Sequence, residues 1–277
     1  MMRTAWLGSA ARRSLLPSLP VHQFAGQVCR VQCCADVHAM KLVDQEYAEL
    51  ELKSITHQVG GVRVRQHVNP FKASLTAPTV PPAWDTEFAD PTLPLHVDIG
   101  CGSGRLLMVL AKRSVGTCNF LGIDIRDKLL QRSTIWAEEL NLTNIHFKVA
   151  NATLALDAIL MKYPGPLRLV SILCPDPHFK QRHRKRRIVQ KSLVDALEKH
   201  LPTGGQIFLQ SDVEEVAMDM RDQFDENVNF TRVHSPGSSL CNSEGWLLDS
   251  PLGVATEREI HALANGGVIY RLLFQRV

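Results

Sequence analysis

The stretch VDIGCGSGR, from Val97 to Arg105, sets the carboxylate of Asp98 just ahead of Gly100, Gly102 and Gly104. Glycine has no Cβ, so such a stretch can turn sharply and let a ligand approach the backbone. A pyrophosphate-binding turn wants its third glycine one residue later, where this chain has Arg105, so the spacing suits a ligand without a diphosphate. Further on, Asp124 follows Gly122 and Ile123, and an acid at the end of a second strand can accept hydrogen bonds from two ribose hydroxyls. Asn151 and Ala152 stand in the corresponding place after a third strand, where a side-chain amide can pair with a base edge or simply cap a helix. The third cluster is Pro175-Asp176-Pro177, whose two prolines restrict the backbone around a carboxylate and preorganise it.

That carboxylate runs directly into a basic segment. From His178 to Arg187 the chain carries Lys180, Arg182, Arg184, Lys185, Arg186 and Arg187 with no acid between them. Net charge is only +3, from 31 basic and 28 acidic side chains, so a run of this density leaves the remainder acidic. A charge run is often only a solvated face. Its position beside Asp176 points instead to a polyanionic partner, because Lys and Arg neutralise phosphates and Arg grips them bidentately. Nucleic acid is the leading expectation.

Apolar residues at 45% and charged residues at 21% match a folded globular chain and exclude wholesale disorder. No apolar stretch approaches the roughly 18 residues of a membrane-spanning helix, so no membrane partner is expected. Seven scattered cysteines include no CxxC pair and the histidines lack HExxH spacing, so neither a disulfide framework nor a metal site is expected.

These residues need a frame that brings them to one edge. Apolar runs LHVDIG, NFLGIDI, IHFKVA, LRLVSILC and QIFLQS alternate with amphipathic stretches at 105–112, 128–140, 154–161, 189–200 and 213–224. Strands separated by helical patterns of this length predict a doubly wound α/β fold with a mostly parallel sheet, closed by a last strand in GVIYRLLFQRV after an irregular segment at 235–253. Residues 1–35 carry arginine, serine and alanine without acids, the composition of an organelle transit peptide for plastid or mitochondrion; failing that, the chain belongs to cytoplasm or nucleus. Residues 36–94 read as an extension ending in the proline-rich linker TAPTVPPAWDTEFADPTLP, and 95–277 as the catalytic domain.

Asp98, the three glycines and Asp124 together resemble the S-adenosylmethionine site of class I methyltransferases, with their seven-stranded Rossmann-like sheet. PDPHFKQRHRKRRIV resembles the hallmark of the tRNA (guanine-N7)-methyltransferase family. VRVRQHVNP, LQSDVEEVA and ATEREIHALANGGVIYRLLFQRV agree with it, so the resemblance covers about residues 60–277, and EGWLLDSPLGVATEREIHA is similar to the plant and algal branch. The resemblance implies methyl transfer from S-adenosylmethionine to N7 of a guanine in the tRNA variable loop, at position 46. It places donor contacts at Asp98, Gly100, Gly102, Gly104, Asp124, Arg126, Asn151, Ala152, Leu173 and Asp176. It places substrate contacts at Lys180, Arg182, His183, Arg186, Asp212, Thr256, Glu257, Arg258 and Glu259, with the RNA-binding stretch running from Arg182 to Arg187. Asp176 is the expected catalytic carboxylate, and Asp212 and Glu259 are expected to accept from the guanine N1–H and amine, although both also read as helix capping-box members.

Other readings differ in what they need. A small-molecule methyltransferase needs no basic run, and a non-catalytic RNA-binding protein on this fold needs no donor. Carbon methylation of cytosine needs a cysteine after the loop proline, whereas Cys174 precedes Pro175 and is expected to pack in its strand; N6-adenine transfer needs Pro-Pro-aromatic. NAD-dependent oxidoreduction is disfavoured by Arg105. An accessory subunit or homo-oligomer is left open.

Overall fold

Leu95–Ile99 (β1) is buried along its whole length, as a strand covered on both faces must be. Asn119–Asp124 (β2) is equally buried, and the two pair in parallel with Asp98 opposite Gly122. The structure is a computed structural model and describes residues 36–52 and 68–277. The leader expected at 1–35 and most of VRVRQHVNP lie outside the described residues.

Each parallel connection runs through a helix. Arg105–Arg113 (α2) follows β1, Asp127–Glu139 (α3) follows β2, Ile145–Val149 (β3) leads into Ala152–Leu160 (α4), and Leu167–Leu173 (β4) leads to Lys191–His200 (α5). Gln206–Ser211 (β5), Glu214–Asp225 (α6), Phe230–Arg232 (β6), Glu257–Ala264 (α7) and Tyr270–Arg276 (β7) complete the chain, preceded by a helix over 36–46 (α1). The strand order is β3-β2-β1-β4-β5-β7-β6, with β7 antiparallel to both neighbours. The order reverses between β1 and β4, so a crevice opens outside the carboxyl ends of those strands, the place where such sheets bind ligands.

Side chains alternate along β2, sending Leu121 and Ile123 into one apolar cluster with α4–α6 and Phe120 into another with α1–α3. The proline-rich stretch expected as a linker is part of the first cluster. Trp84 and Phe88 are buried, stacked at 5.5 Å, and meet Tyr163 edge-on. Proline content reported the bends there, while burial of two aromatics decided the packing. The short β6 was not anticipated, α7 begins at the capping box that Thr256 and Glu259 offered in the sequence, and 235–253 is irregular apart from one bridge between Cys241 and Leu247.

The crevice requires α2 and β2 to pack closely at two glycines. A Cβ on Gly104 or on Gly122 would stand 2.6 Å from the Phe147 ring, and one on Gly122 also 2.8 Å from Cys101 Sγ. Overpacking of this kind costs about 1–3 kcal/mol. Gly122→Ala should lower the unfolding free energy by about that amount in urea titrations, while Gly116→Ala, where a Cβ meets nothing, should show only the smaller strain of its φ of +72°.

Candidate active site

The glycine turn is built from the backbone outward. Gly100 and Cys101 donate their N–H groups to the Ile123 carbonyl, which ties the turn to the end of β2. Gly100 sits at φ +85° and a Cβ built on it meets nothing within 4 Å, so the space above it is a cradle that a side chain would fill. Gly102 donates its N–H to Asp124 Oδ2 at 3.0 Å.

Asp124 is buried and its second carboxylate oxygen accepts from the backbone N–H of Arg126 at 2.8 Å. The Arg126 guanidinium closes a fork on the same group, Nε at 2.9 Å and Nη2 at 2.8 Å. These bonds push the Arg126 pKa up, and the charges of Asp124 and Asp176 add to the effect. Asp98, at the end of β1, accepts from Ser171 Oγ at 2.7 Å, and that hydroxyl lies 2.9 Å from His96 Nε2.

Two cavities share Gly100, Arg126, Cys174, Pro175 and Asp176. One is lined by Asp124, Ile125 and Ala150–Thr153 on its floor and by Pro70, Phe71 and Lys185–Ile188 on its other wall. The other runs from Asp98 and the glycine turn past Leu173 to Phe179, Asp212 and Thr256–Arg258. Asp176 is exposed at their junction, as its place after β4 requires. Apolar Ile123, Ile125, Ala150 and Ala152 beside Asn151, a buried carboxylate at the end of β2, and an open cradle over Gly100 fit an adenosine bearing a short chain, so these residues suit S-adenosylmethionine. Among the described residues no group of His, Cys, Asp or Glu could hold a metal ion.

Several expected residues have structural duties as well. Asn151 Oδ1 accepts from the Thr153 N–H and caps α4, as the capping reading expected, while Nδ2 donates to the Pro70 carbonyl at 3.1 Å and the residue lines the first cavity. Asp212 does not cap α6, whose N-cap is Val213, and instead receives Arg258 Nε at 2.9 Å. Thr256 and Glu259 do form a capping box. Glu259 is buried, pairs with Arg271 and accepts from Gln210 at 3.2 Å, and it does not line the cleft that Thr256, Glu257 and Arg258 reach. Glu257 instead accepts from the Ser103 hydroxyl in the glycine turn.

The basic run folds as a 3-10 turn over Gln181–Arg186. Lys180, Arg182 and Lys185 are exposed, His183 and Arg186 are half-buried, and Arg186 lines the first cavity while Lys180, Arg182 and His183 lie outside both linings. Arg187 corrects the expected RNA-binding stretch: only 4% exposed, it pairs with Glu215 and Asp219 and donates to the Pro177 carbonyl at 3.0 Å. Arg184 also pairs with Glu215. Cys174 stands beyond the end of β4 at φ +48° and lines both cavities, not packed in the strand. Burial pushes its thiol up to about 12, so it stays protonated and is a poor nucleophile. Phe71 and Phe179 were missed as wall residues, since nothing in their local spacing marks them, and Arg187, expected in the RNA-binding stretch, lines a cavity wall instead.

Strand order, glycine turn and carboxylate at the end of β2 define a class I, Rossmann-like methyltransferase. The family Methyltransf_4 (Putative methyltransferase) matches residues 92–272. The tRNA (guanine-N(7)-)-methyltransferase of Synechocystis sp. (strain ATCC 27184 / PCC 6803 / Kazusa) is 43% identical over 215 residues, 78% of this chain and 98% of its own. The one from Synechococcus sp. (strain JA-3-3Ab) is 44% identical over 216 residues, 78% of this chain and 86% of its own. The chain belongs to the tRNA (guanine-N7)-methyltransferase family. Among solved structures, TrmN from Thermus thermophilus aligns over 67% of this chain and 45% of its own at 16% identity and a TM-score of 0.45.

Burial drives the Asp98 carboxyl up to about 7, with the Ser171 hydrogen bond opposing and the Asp124 charge adding. Burial drives His96 down to about 3. Between about pH 4 and 7 the folded chain therefore holds a proton at Asp98 that the unfolded chain has lost, and this residue's contribution to stability falls as pH rises. His96 acts oppositely, its contribution falling as pH drops below about 6.5. Asp98→Asn should accordingly gain stability relative to wild type as pH rises from 5 to 8. Urea midpoints across that range check it, and a pH-independent difference would contradict the burial assigned to Asp98.

Proposed function

We propose that this chain transfers a methyl group from S-adenosylmethionine to N7 of a guanine in the tRNA variable loop, at position 46. The observation that carries this reading is the junction at Asp176, where a nucleoside-shaped cavity opens into a cleft beside an exposed basic turn, in a chain whose curated relatives are named for this reaction.

When bound, S-adenosylmethionine supplies an electrophilic methyl on a sulfonium. Asp124 takes the ribose hydroxyls once Arg126 releases its fork, Asn151 and Ala152 take the adenine edge, and Asp98 with the glycine turn holds the amino-acid end. Guanine N7 carries an in-plane lone pair and no proton, so the protein has to align the base more than deprotonate it. Such alignment supplies up to roughly 7–11 kcal/mol of the barrier. The purine gains positive charge as the bond forms, and Asp176 stabilises that charge. Asp212 and Thr256 orient the base, and Lys180, Arg182 and Arg186 take phosphates. Glu259 serves by holding the Thr256 turn in place. The acid-free composition of residues 1–35 supports delivery to a plastid or mitochondrion.

Incubation with labelled donor and unmodified tRNA, followed by aniline cleavage, should give one new break at a variable-loop guanine. Absence of any break with tRNA still bound would favour a non-catalytic RNA-binding protein. Asp176→Ala should lower kcat by roughly 100-fold or more with tRNA affinity nearly intact. Arg186→Ala should weaken tRNA binding and reduce the log–log salt slope by about one.

A further inference from the structure

Phe179 has no part in the reading above, yet it is a 65% exposed aromatic on the wall of a polar cleft. It shares that wall with Asp176, Asp212, Thr256 and Arg258. Among the described residues its ring pairs with no other aromatic ring. The backbone holds it there firmly. His178, immediately before it, adopts the left-handed conformation at φ +46°, and the Pro177 carbonyl accepts from the buried guanidinium of Arg187, itself anchored on Glu215 and Asp219. A loop pinned on a buried ion pair carries the ring at the space beside Asp176.

We propose that Phe179 is the stacking platform for the target guanine, and that its ring face favours the cationic, methylated base over the neutral one. The inference rests on the guanine-N7 reading. A base that leaves its helical stack to reach an enzyme loses stacking, and an aromatic side chain restores it. In the transfer, the carbon–sulfur bond breaks as the N7 lone pair forms the new bond to carbon. The sulfur keeps its electron pair, the positive charge passes from sulfonium to purine, and no proton leaves. The negative face of an aromatic ring attracts such a charge. Phe179 thus fixes the plane of the base while Asp176 meets it from the same loop, and both interactions strengthen as the reaction proceeds.

The test uses the full chain with Phe179 replaced by Leu, Tyr or Trp, and with mono- to pentafluorinated phenylalanine installed at the same position. Phe179→Leu should lower kcat/KM for tRNA roughly 10- to 100-fold. Tyr and Trp should stay within about threefold of wild type, and calorimetric affinity for S-adenosylmethionine should be unchanged throughout. Progressive fluorination drains charge from the ring face at nearly constant size. Single-turnover rates should fall stepwise along that series, as should the preference for N7-methylated over unmethylated tRNA. Rates flat along the series overturn the preference of the ring face for the cationic base, and Leu equal to Tyr overturns the stacking role, in both cases with the guanine-N7 reading intact. A wild-type chain that makes no N7-methylguanine in tRNA overturns this inference together with the proposed function.

Discussion

The carboxylate of Asp124, buried at the end of β2, accepts four hydrogen bonds, one from Gly102 and three from Arg126. A buried carboxylate without such partners is strongly destabilising, because the protein interior does not replace its hydration. The consequence reaches beyond one residue. The Gly102 bond shapes the glycine turn that lines the cavity, so the group suited to recognise a ribose also holds that turn in form. The Arg126 fork covers the same oxygens that ribose hydroxyls would use, so in the proposed function a ribose would enter by exchanging donors around the anion. Desolvation of Asp124 is thus met by Gly102 and Arg126, and the Arg126 charge also interacts with Asp176 across the junction.

The other side of the cleft is closed by residues far apart in the chain. Tyr47 donates to the Ala255 carbonyl at 2.6 Å and Glu46 accepts the Ala255 N–H at 2.8 Å, fastening α1 to the segment before α7. Two residues on, Glu257 meets Ser103 in the glycine turn and lies 3.8 Å from Arg105. Thr256-Glu-Arg-Glu259 thereby divides its work by helical geometry. Positions 256 and 259 close the capping box, and Glu259 joins Gln210 and Arg271 in a buried polar network. Positions 257 and 258 face the cleft. Such networks are tolerated only when each member is satisfied, so removing Glu259 would strand the Arg271 guanidinium and distort the helix start together.

The parallel core was legible because each strand is a short apolar run and each helix an amphipathic one, with glycine or proline at the joints. The edge where Asp98, the glycine turn, Asp124 and Asp176 meet followed from that alternation, since residues at carboxyl ends of parallel strands converge. What escaped notice depended on long-range packing. Trp84 and Phe88 are set in a proline-rich stretch whose composition resembles a linker, and the surface that buries them comes from residues distant in the chain, among them His146 and Tyr163. β6 is three residues long, too short for alternation to register. Capping residues read ambiguously for a related reason: one side chain such as Asn151 can terminate a helix and line a cavity at once, and spacing alone does not separate the duties.

The basic run shows the same divided labour at the level of charge. Arg184 and Arg187 are spent on Glu215, with Arg187 also on Asp219, and this pairing places the Pro-Asp-Pro loop against α6. The neighbouring Lys180, Arg182, Lys185 and Arg186 have no ion pair among the described residues. Like-charged groups this close repel one another, and the basic run accommodates them because two of its six cations, Arg184 in the 3-10 turn and Arg187 just after it, are paired with Glu215. Arg186 has a buried Nε without a hydrogen-bond partner and lines the nucleoside-shaped cavity, beside the exposed Lys185. One turn therefore serves as cavity wall and as cationic surface.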